Sequence, residues 1–166
     1  MLNKFTLVSA LLILMLAISG CTDSPENNAA DMPEGYEYLG VLPMSIDDVE
    51  EDYVSIDGIV GASESLYKHS DVDLYIDTIE MENSELADEF IVQYKAGFKQ
   101  MMDGSRFTDV SFNDHSAVAI KEHVVISGEQ VPRYTYVWSN ENFVYALGGN
   151  TDDSNILKDL AESTGF

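Results

Sequence analysis

Three histidines are the residues of this sequence whose chemistry best suits metal binding or proton transfer. They are His69, His115 and His123. An imidazole can bind a metal ion or exchange a proton near neutral pH. His115 and His123 are predicted to share a strand face, but eight residues of strand span ~26 Å, which is too far for one ion. The spacing therefore favours ordinary exposed histidines over a metal site.

Closely spaced aspartates could bind calcium, which prefers carboxylate oxygens. Asp71 and Asp73 share a predicted strand face, whereas Asp77 lies two strand steps further on. The glycine and closing glutamate of an EF-hand loop are absent from this stretch. The denser acidic run at positions 47–52 could gather a cation, but a solvated loop is the favoured interpretation. We therefore predict no metal site.

Motifs for nucleophilic catalysis or phosphate binding are missing. The sequence contains no nucleophile elbow, no Walker loop and no HExxH helix. Gly148-Gly149-Asn150 resembles part of a phosphate loop, but no lysine follows, and Asp152 and Asp153 would repel phosphate. We predict no catalytic residue and no cofactor. One alternative stays open, because spacing in a chain with 30 acids does not report separation in space: a hydrolase site assembled from distant carboxylates and His115.

Aromatic residues form a weaker candidate for ligand binding. Tyr134, Tyr136 and Trp138 alternate along one predicted strand and so share a face. Such a face could stack on a sugar or an aromatic ligand, although packing into the core is the default expectation.

The single cysteine belongs to the most specific motif in the chain. Lys4 precedes an apolar run from Phe5 to Ile18, which is shorter than the ~20 residues that span a bilayer. This pattern predicts a secretory signal at residues 1–20. Ile18-Ser19-Gly20-Cys21 resembles the lipobox of prokaryotic lipoproteins. The resemblance implies cleavage between Gly20 and Cys21 and a lipid on the sulfur of Cys21, so that the chain is anchored at the extracytoplasmic face of the cell membrane.

The segment after Cys21 is predicted to be a flexible acidic tether, residues 21–35. From position 22 to 35 it contains no aromatic and no β-branched aliphatic residue. Such a composition cannot bury enough apolar surface to offset the entropy of ordering. The folded domain is therefore expected at residues 36–166.

Composition bounds the remaining possibilities. The chain has 166 residues, room for one domain, and a formal net charge of −22. Nucleic acid is excluded as a partner because two polyanions repel each other. A single cysteine excludes an internal disulfide framework and a thiolate zinc cluster. The acidity is consistent either with a solvated surface or with adaptation to high salt. It also predicts that the domain stands off anionic lipid headgroups.

Hydrophobic periodicity predicts the elements that position these residues. One helix is capped by Asn83 or Ser84 and ends at Gly104, and a second helix follows Gly148-Gly149-Asn150. The predicted strands are Ile59–Lys68, Val72–Met81, Arg106–Phe112, Ser116–Ile126, Val131–Trp138 and Phe143–Gly148. This order predicts an α+β fold, a single antiparallel sheet of about six strands with two helices packed on it. The element order is similar to that of layered α+β domains of the photosystem-II oxygen-evolving-subunit (PsbP) type.

The C-terminal block at positions 133–150, RYTYVWSNENFVYALGGN, resembles surface lipoproteins of methanogenic archaea. The resemblance implies an envelope lipoprotein without assigned catalysis, and it implies no functional residue. We therefore expect a membrane-anchored extracytoplasmic lipoprotein that is a non-catalytic binding or accessory module, with an envelope protein as its partner. The alternatives are the envelope hydrolase and a structural component of the surface layer.

Overall fold

The computed structural model of the chain describes residues 32–101 and 104–164. The predictions made for the signal peptide, for lipidation of Cys21 and for the tether up to residue 31 lie outside the described residues. Within these two ranges, no helix is long and apolar enough to cross a membrane.

The predicted fold class is confirmed: the protein is α+β, with one antiparallel sheet. The sheet has seven strands, not six, and three helices accompany it, not two. The elements are β1 Tyr36–Met44, α1 Ile46–Asp52, β2 Ile59–His69, β3 Val72–Met81, α2 Ser84–Gly97, β4 Phe107–Phe112, β5 His115–Ile126, β6 Glu129–Asn140, β7 Phe143–Gly149 and α3 Ser154–Thr164.

The sheet consists of two meanders that meet at its centre. Its strand order is β1-β2-β3-β7-β6-β5-β4, and every neighbouring pair is antiparallel. Helix α2 connects the first meander to the second, so that β3 and β7 pair in the middle while β1 and β4 form the edges. Tight turns set the register; in the turn between β5 and β6, Ser127 and Gly128 both have positive φ, 54° and 88°.

Strand β1 and helix α1 were not predicted from the sequence. In β1 the pairing shifts between Tyr38 and Gly40, and Pro43 sits near the end, so hydrophobic alternation is broken. An edge strand tolerates both features. In α1 the acidic run predicted to be a solvated loop is instead helical.

A capping box explains why this acidic run forms a helix. The Ser45 hydroxyl accepts a hydrogen bond from the Asp48 amide (3.1 Å), and the Asp48 carboxylate accepts one from the Ser45 amide (2.9 Å). Acids in the first turn also interact favourably with the helix dipole. Val49 is fully buried and anchors the helix to the sheet.

Helix α2 begins as predicted and ends earlier than predicted. The Asn83 side chain accepts from the Leu86 amide (3.0 Å) and caps its start. The helix ends at Gly97 instead of continuing to Gly104, because Phe98 adopts an extended conformation. The Phe98 ring packs edge-on against Phe107 of β4, with centroids 6.0 Å apart. This tertiary contact overrides the helical spacing.

Both faces of the sheet are buried, so the molecule has two cores. Helices α1 and α2 cover one face, and α3 covers the other. Consequently the central strand β7 is buried continuously from Val144 to Gly148. The buried residues on the α3 face are Tyr67, Leu74, Ile76, Phe112, Ala117, Ala119, Tyr136, Trp138, Tyr145, Leu147, Leu157, Leu160 and Ala161.

Candidate functional site

A buried carboxyl group lies at the centre of the sheet. Among the described residues, Asp77 is the only charged residue that is buried, with 3% of its surface exposed. In the register it stands between Glu64 of β2 and Ala146 of β7. It shares a strand face with Ile79, which belongs to the core under α1 and α2. Asp77 therefore points into this core.

The hydrogen bonding of Asp77 is incomplete. Tyr53, the residue that ends α1, donates its hydroxyl hydrogen bond to Oδ2 of Asp77. The other oxygen, Oδ1, is buried and has no hydrogen-bond partner within the described residues. An unsatisfied buried acceptor destabilises the folded state.

Burial raises the pKa of Asp77 from 3.8 to about 7. The negative charges of Glu64 and Asp52 add to this rise, while the hydrogen bond from Tyr53 opposes it. Both protonation states of the carboxyl group are therefore populated near neutral pH. A raised pKa of this size is a feature that active-site carboxyls share with some structural ones.

Tyrosines form the surroundings of Asp77. Burial raises the pKa of Tyr75 to about 12, and it also raises the pKa values of Tyr53 and Tyr94 well above the usual range. These hydroxyls are neutral donors at physiological pH. The rings of Tyr53 and Tyr94 pack edge to face, with centroids 5.1 Å apart. Asp77 can hold one proton in these surroundings. Within the described ranges, no second buried carboxyl group lies beside it.

Gly148 and Gly149 serve to join β3 to β7. A Cβ on Gly148 would stand 2.6 Å from Cζ of Tyr75, and one on Gly149 would stand 2.7 Å from the Asp73 carbonyl oxygen. Without a side chain at Gly148, the ring of Tyr75 lies across β7, and its hydroxyl reaches Thr135 of β6. The pair of glycines is therefore a packing device between two central strands.

The aromatic candidates for ligand stacking lie at the α3 face. Trp138 is fully buried, stacked on Tyr145 at a centroid distance of 5.2 Å and edge-on to Phe112 at 5.0 Å. Tyr136 is 5% exposed, and its hydroxyl donates to the Ser154 carbonyl (3.2 Å). Tyr134 is half-buried beside the same core. The face that these residues share is thus largely covered by protein.

The structure keeps the three histidines apart. His115 begins β5, and His123 lies eight residues further along the same strand. His69 ends β2, where its ring packs at a tilt against Tyr36, with centroids 4.3 Å apart. Within residues 32–101 and 104–164, no cluster of three or more His, Cys, Asp or Glu side chains could hold a metal ion.

A two-stranded arm projects from the sheet, and the sequence patterns did not reveal it. Strand β5 pairs with β4 only as far as Ile120, and β6 pairs with β7 only from Tyr136 onward. Apart from one hydrogen bond from the Lys121 amide to the Arg106 carbonyl (2.8 Å), the backbone of residues 121–134 therefore pairs only within this segment, and we call it the arm. The excess length of β5 and β6 over the strands beside them is the signal that could have revealed it.

The outer part of the arm is apolar and exposed. Exposed fractions are 39% for Val124, 70% for Val125 and 44% for Ile126. These three residues precede the Ser127-Gly128 turn.

Compared with known proteins, the chain matches no family model, no curated protein and no solved structure.

Proposed function

We propose that this protein is a membrane-anchored lipoprotein whose α+β domain is a non-catalytic binding or accessory module at the extracytoplasmic face. The observation that carries the proposal is the position of Cys21. It is the single cysteine of the chain, and it follows Ile18-Ser19-Gly20 at the place where the lipobox requires it. Two acyl chains on one residue are enough for stable anchoring without a transmembrane helix.

The non-catalytic part of the proposal is supported by how the candidate residues are used. Asp77 is engaged by Tyr53, and its pKa is raised mainly by burial in a hydrophobic core. Tyr136 and Trp138 pack under α3. Tyr136 and Trp138 stabilise the fold through their packing. Asp77 links α1 to β3 through the hydrogen bond from Tyr53, although its burial opposes folding. A partner in the cell envelope would then be recognised by surface residues of the domain.

Detergent partitioning tests the anchor. The wild-type protein, produced in an exporting host, is expected in the detergent phase of a phase-separation assay, and Cys21→Ser is expected to take up no lipid label. Ser19→Ala is the matched control, since it keeps a small residue in the lipobox and should behave as wild type. Equal lipid labelling of the wild type and Cys21→Ser would contradict the proposal.

The envelope hydrolase is the second candidate, and the pKa of Asp77, about 7, favours it. A general acid or base works best with a pKa near the working pH. The test is turnover by the purified protein against a panel of ester, glycoside and peptide substrates. Steady turnover that Asp77→Asn abolishes, with the fold retained, would establish the hydrolase and overturn the non-catalytic role. The absence of turnover in both proteins is the result that we expect.

A further inference from the structure

The arm leaves the sheet at the end where the described chain enters the domain. Tyr36, the first residue of β1, pairs with His69, which in turn pairs with Val72. We call this the entry end. If the strand pairing is extended from Val72 across β7 to β6, Pro132 of the arm lies at the same height in the sheet as Tyr36. The turn of the arm therefore lies ~10 Å beyond Tyr36, at ~3.3 Å per residue.

Positive charge is concentrated at the same end. Of the eight lysines and arginines in the chain, only Lys4 lies outside the described residues. Lys158 is on α3 and forms an ion pair with Glu162. The remaining cations lie at the entry end: Lys68, Lys95, Lys99, Arg106, Lys121 and Arg133. Acids lie at this end as well, among them Glu37, Asp71 and Asp73, and Asp73 pairs with Lys68. The entry end is therefore less negative than the rest of the domain, in a chain whose formal net charge is −22.

Arg106 links the arm to the two residues that follow α2, Phe98 and Lys99. Its Nε donates to the Lys99 carbonyl and its Nη1 to the Lys121 carbonyl, both at 3.1 Å. Its guanidinium also lies over the ring of Phe98, 5.1 Å from the centroid. The arm carries acids as well, Glu122 and Glu129, of which Glu122 is 3.5 Å from Arg106. The guanidinium of Arg106 is thus held at the base of the arm.

We propose that the arm docks on an anionic lipid bilayer, an inference that rests on the proposed function. Val124, Val125 and Ile126 enter the headgroup region, while Lys99, Lys121 and Arg133 face the lipid phosphates. A cation near an anionic surface gains about 1 kcal/mol. Transfer of exposed aliphatic side chains out of water also lowers the free energy of the bound state. This proposal departs from the expectation, based on composition, that the whole domain stands off anionic lipid. The net charge does repel the domain, but six of its seven described cations lie at the entry end, so repulsion is least when that end faces the lipid.

The length of chain outside the described residues favours a membrane over a protein as the occupant. Cys21 is eleven residues before Met32, the first described residue. Even when fully extended, this stretch spans at most ~40 Å. Met32 packs against the core on the α3 side. A lipid on Cys21 therefore holds the entry end close to the bilayer, where the arm meets it at high effective concentration.

Site-directed labelling of the full, lipidated chain tests this proposal. If the sulfur of Cys21 carries lipid, Val125→Cys supplies the only free thiol, and a nitroxide there reports depth through its accessibility to a water-soluble relaxation agent. The matched control is Val60→Cys on β2, at the opposite end of the sheet, where Val60 is 55% exposed. The vesicles contain phosphatidylcholine with or without phosphatidylglycerol, and flotation measures anchoring separately.

We expect the label at position 125 to be shielded from water when phosphatidylglycerol is present, and the label at position 60 to remain accessible. Lys121→Gln and Arg133→Gln should each lower the shielded population about fivefold, whereas Lys158→Gln should not. If the chain floats but both labels are equally accessible, docking is wrong and the anchor stands. If the chain does not float, both proposals are wrong. Shielding that requires an added envelope protein would identify a protein partner and overturn the membrane assignment.

Discussion

The hydroxyl of Tyr53 donates a hydrogen bond to the carboxyl group of Asp77, and this contact joins the end of α1 to the central strand β3. One partner ends a short acidic helix, and the other is the only buried charged residue among those described. The contact makes the stability of the domain depend on pH, because burial raises the pKa of Asp77 from 3.8 to about 7.

The first prediction concerns the sign of this pH dependence. The pKa of Asp77 is higher in the folded state than in the unfolded state, so the folded protein binds this proton more tightly. The contribution of Asp77 to stability is therefore complete below pH 3.8 and is lost as the pH rises to about 7. Asp77→Asn removes this titration. The free energy of unfolding of the wild type, measured relative to the variant by urea denaturation, should fall by up to about 4 kcal/mol across that window.

Asp73→Asn is the matched control for this prediction. Asp73 is on the same strand, and its side chain is 71% exposed. The unfolding free energy of Asp73→Asn should stay within ~0.5 kcal/mol of the wild-type value at every pH. A constant difference between the wild type and Asp77→Asn at all pH values would show that Asp77 does not titrate in the folded protein within this range.

The second prediction concerns Tyr53→Phe. Without the Tyr53 hydroxyl, neither oxygen of Asp77 has a hydrogen-bond donor among the described residues. The pKa of Asp77 should then rise further, because this hydrogen bond lowers it. We expect a loss of ~1–3 kcal/mol in unfolding free energy. The loss should be larger above pH 7 than below pH 4, because only the charged carboxylate depends strongly on the donor. Tyr94→Phe is the control, as it keeps the Tyr53–Asp77 hydrogen bond. An equal loss at both pH extremes would argue against this role of the hydroxyl.

The third prediction concerns Gly148, where a Cβ would stand 2.6 Å from Cζ of Tyr75. Gly148→Ala forces the Tyr75 ring away from β7 and should cost ~1–3 kcal/mol of unfolding free energy. Gly61→Ala is the control, because nothing lies within 4 Å of a Cβ there. Its effect should stay within ~0.5 kcal/mol. Similar losses for the two variants would mean that the close approach of Tyr75 is not what requires glycine.

The fourth prediction distinguishes a core role for Trp138 from a ligand-stacking role. Because Trp138 is fully buried and is the single tryptophan, its fluorescence should be shielded from acrylamide in the folded protein and should not respond to added sugars. Trp138→Ala should cost ~3–5 kcal/mol of unfolding free energy. Val92→Ala, at a residue that is 66% exposed, serves as the control. Fluorescence that a sugar changes in a saturable manner would favour ligand stacking instead.

The hairpins were predictable from the sequence because short turn-forming segments separate strongly alternating runs. Val72–Met81 was predicted with its observed limits, and β4 to β7 were predicted within two residues at each end. The strand pairing within each meander follows from these turns. The pairing of β3 with β7 did not follow, because no local signal relates residues that are about 70 positions apart in the chain.

The buried carboxyl group was not predictable, although its strand was. Alternation places Asp77 on one face with Tyr75 and Ile79, but which face is buried depends on what covers it. The cover includes α1, whose acidic sequence resembles a solvated loop and whose helix depends on the Ser45 cap and on buried Val49. Without α1, nothing in the local sequence indicates that Asp77 is buried.

The central claim is that Cys21 carries the lipid that anchors the domain, and mass spectrometry of the mature protein tests it most directly. The protein is isolated from the membranes of an exporting host, and its N-terminal peptide is fragmented. Our account predicts a chain that begins at Cys21, with acyl chains attached through the Cys21 sulfur. A chain that still begins at Met1, with an unmodified thiol at Cys21, would contradict it.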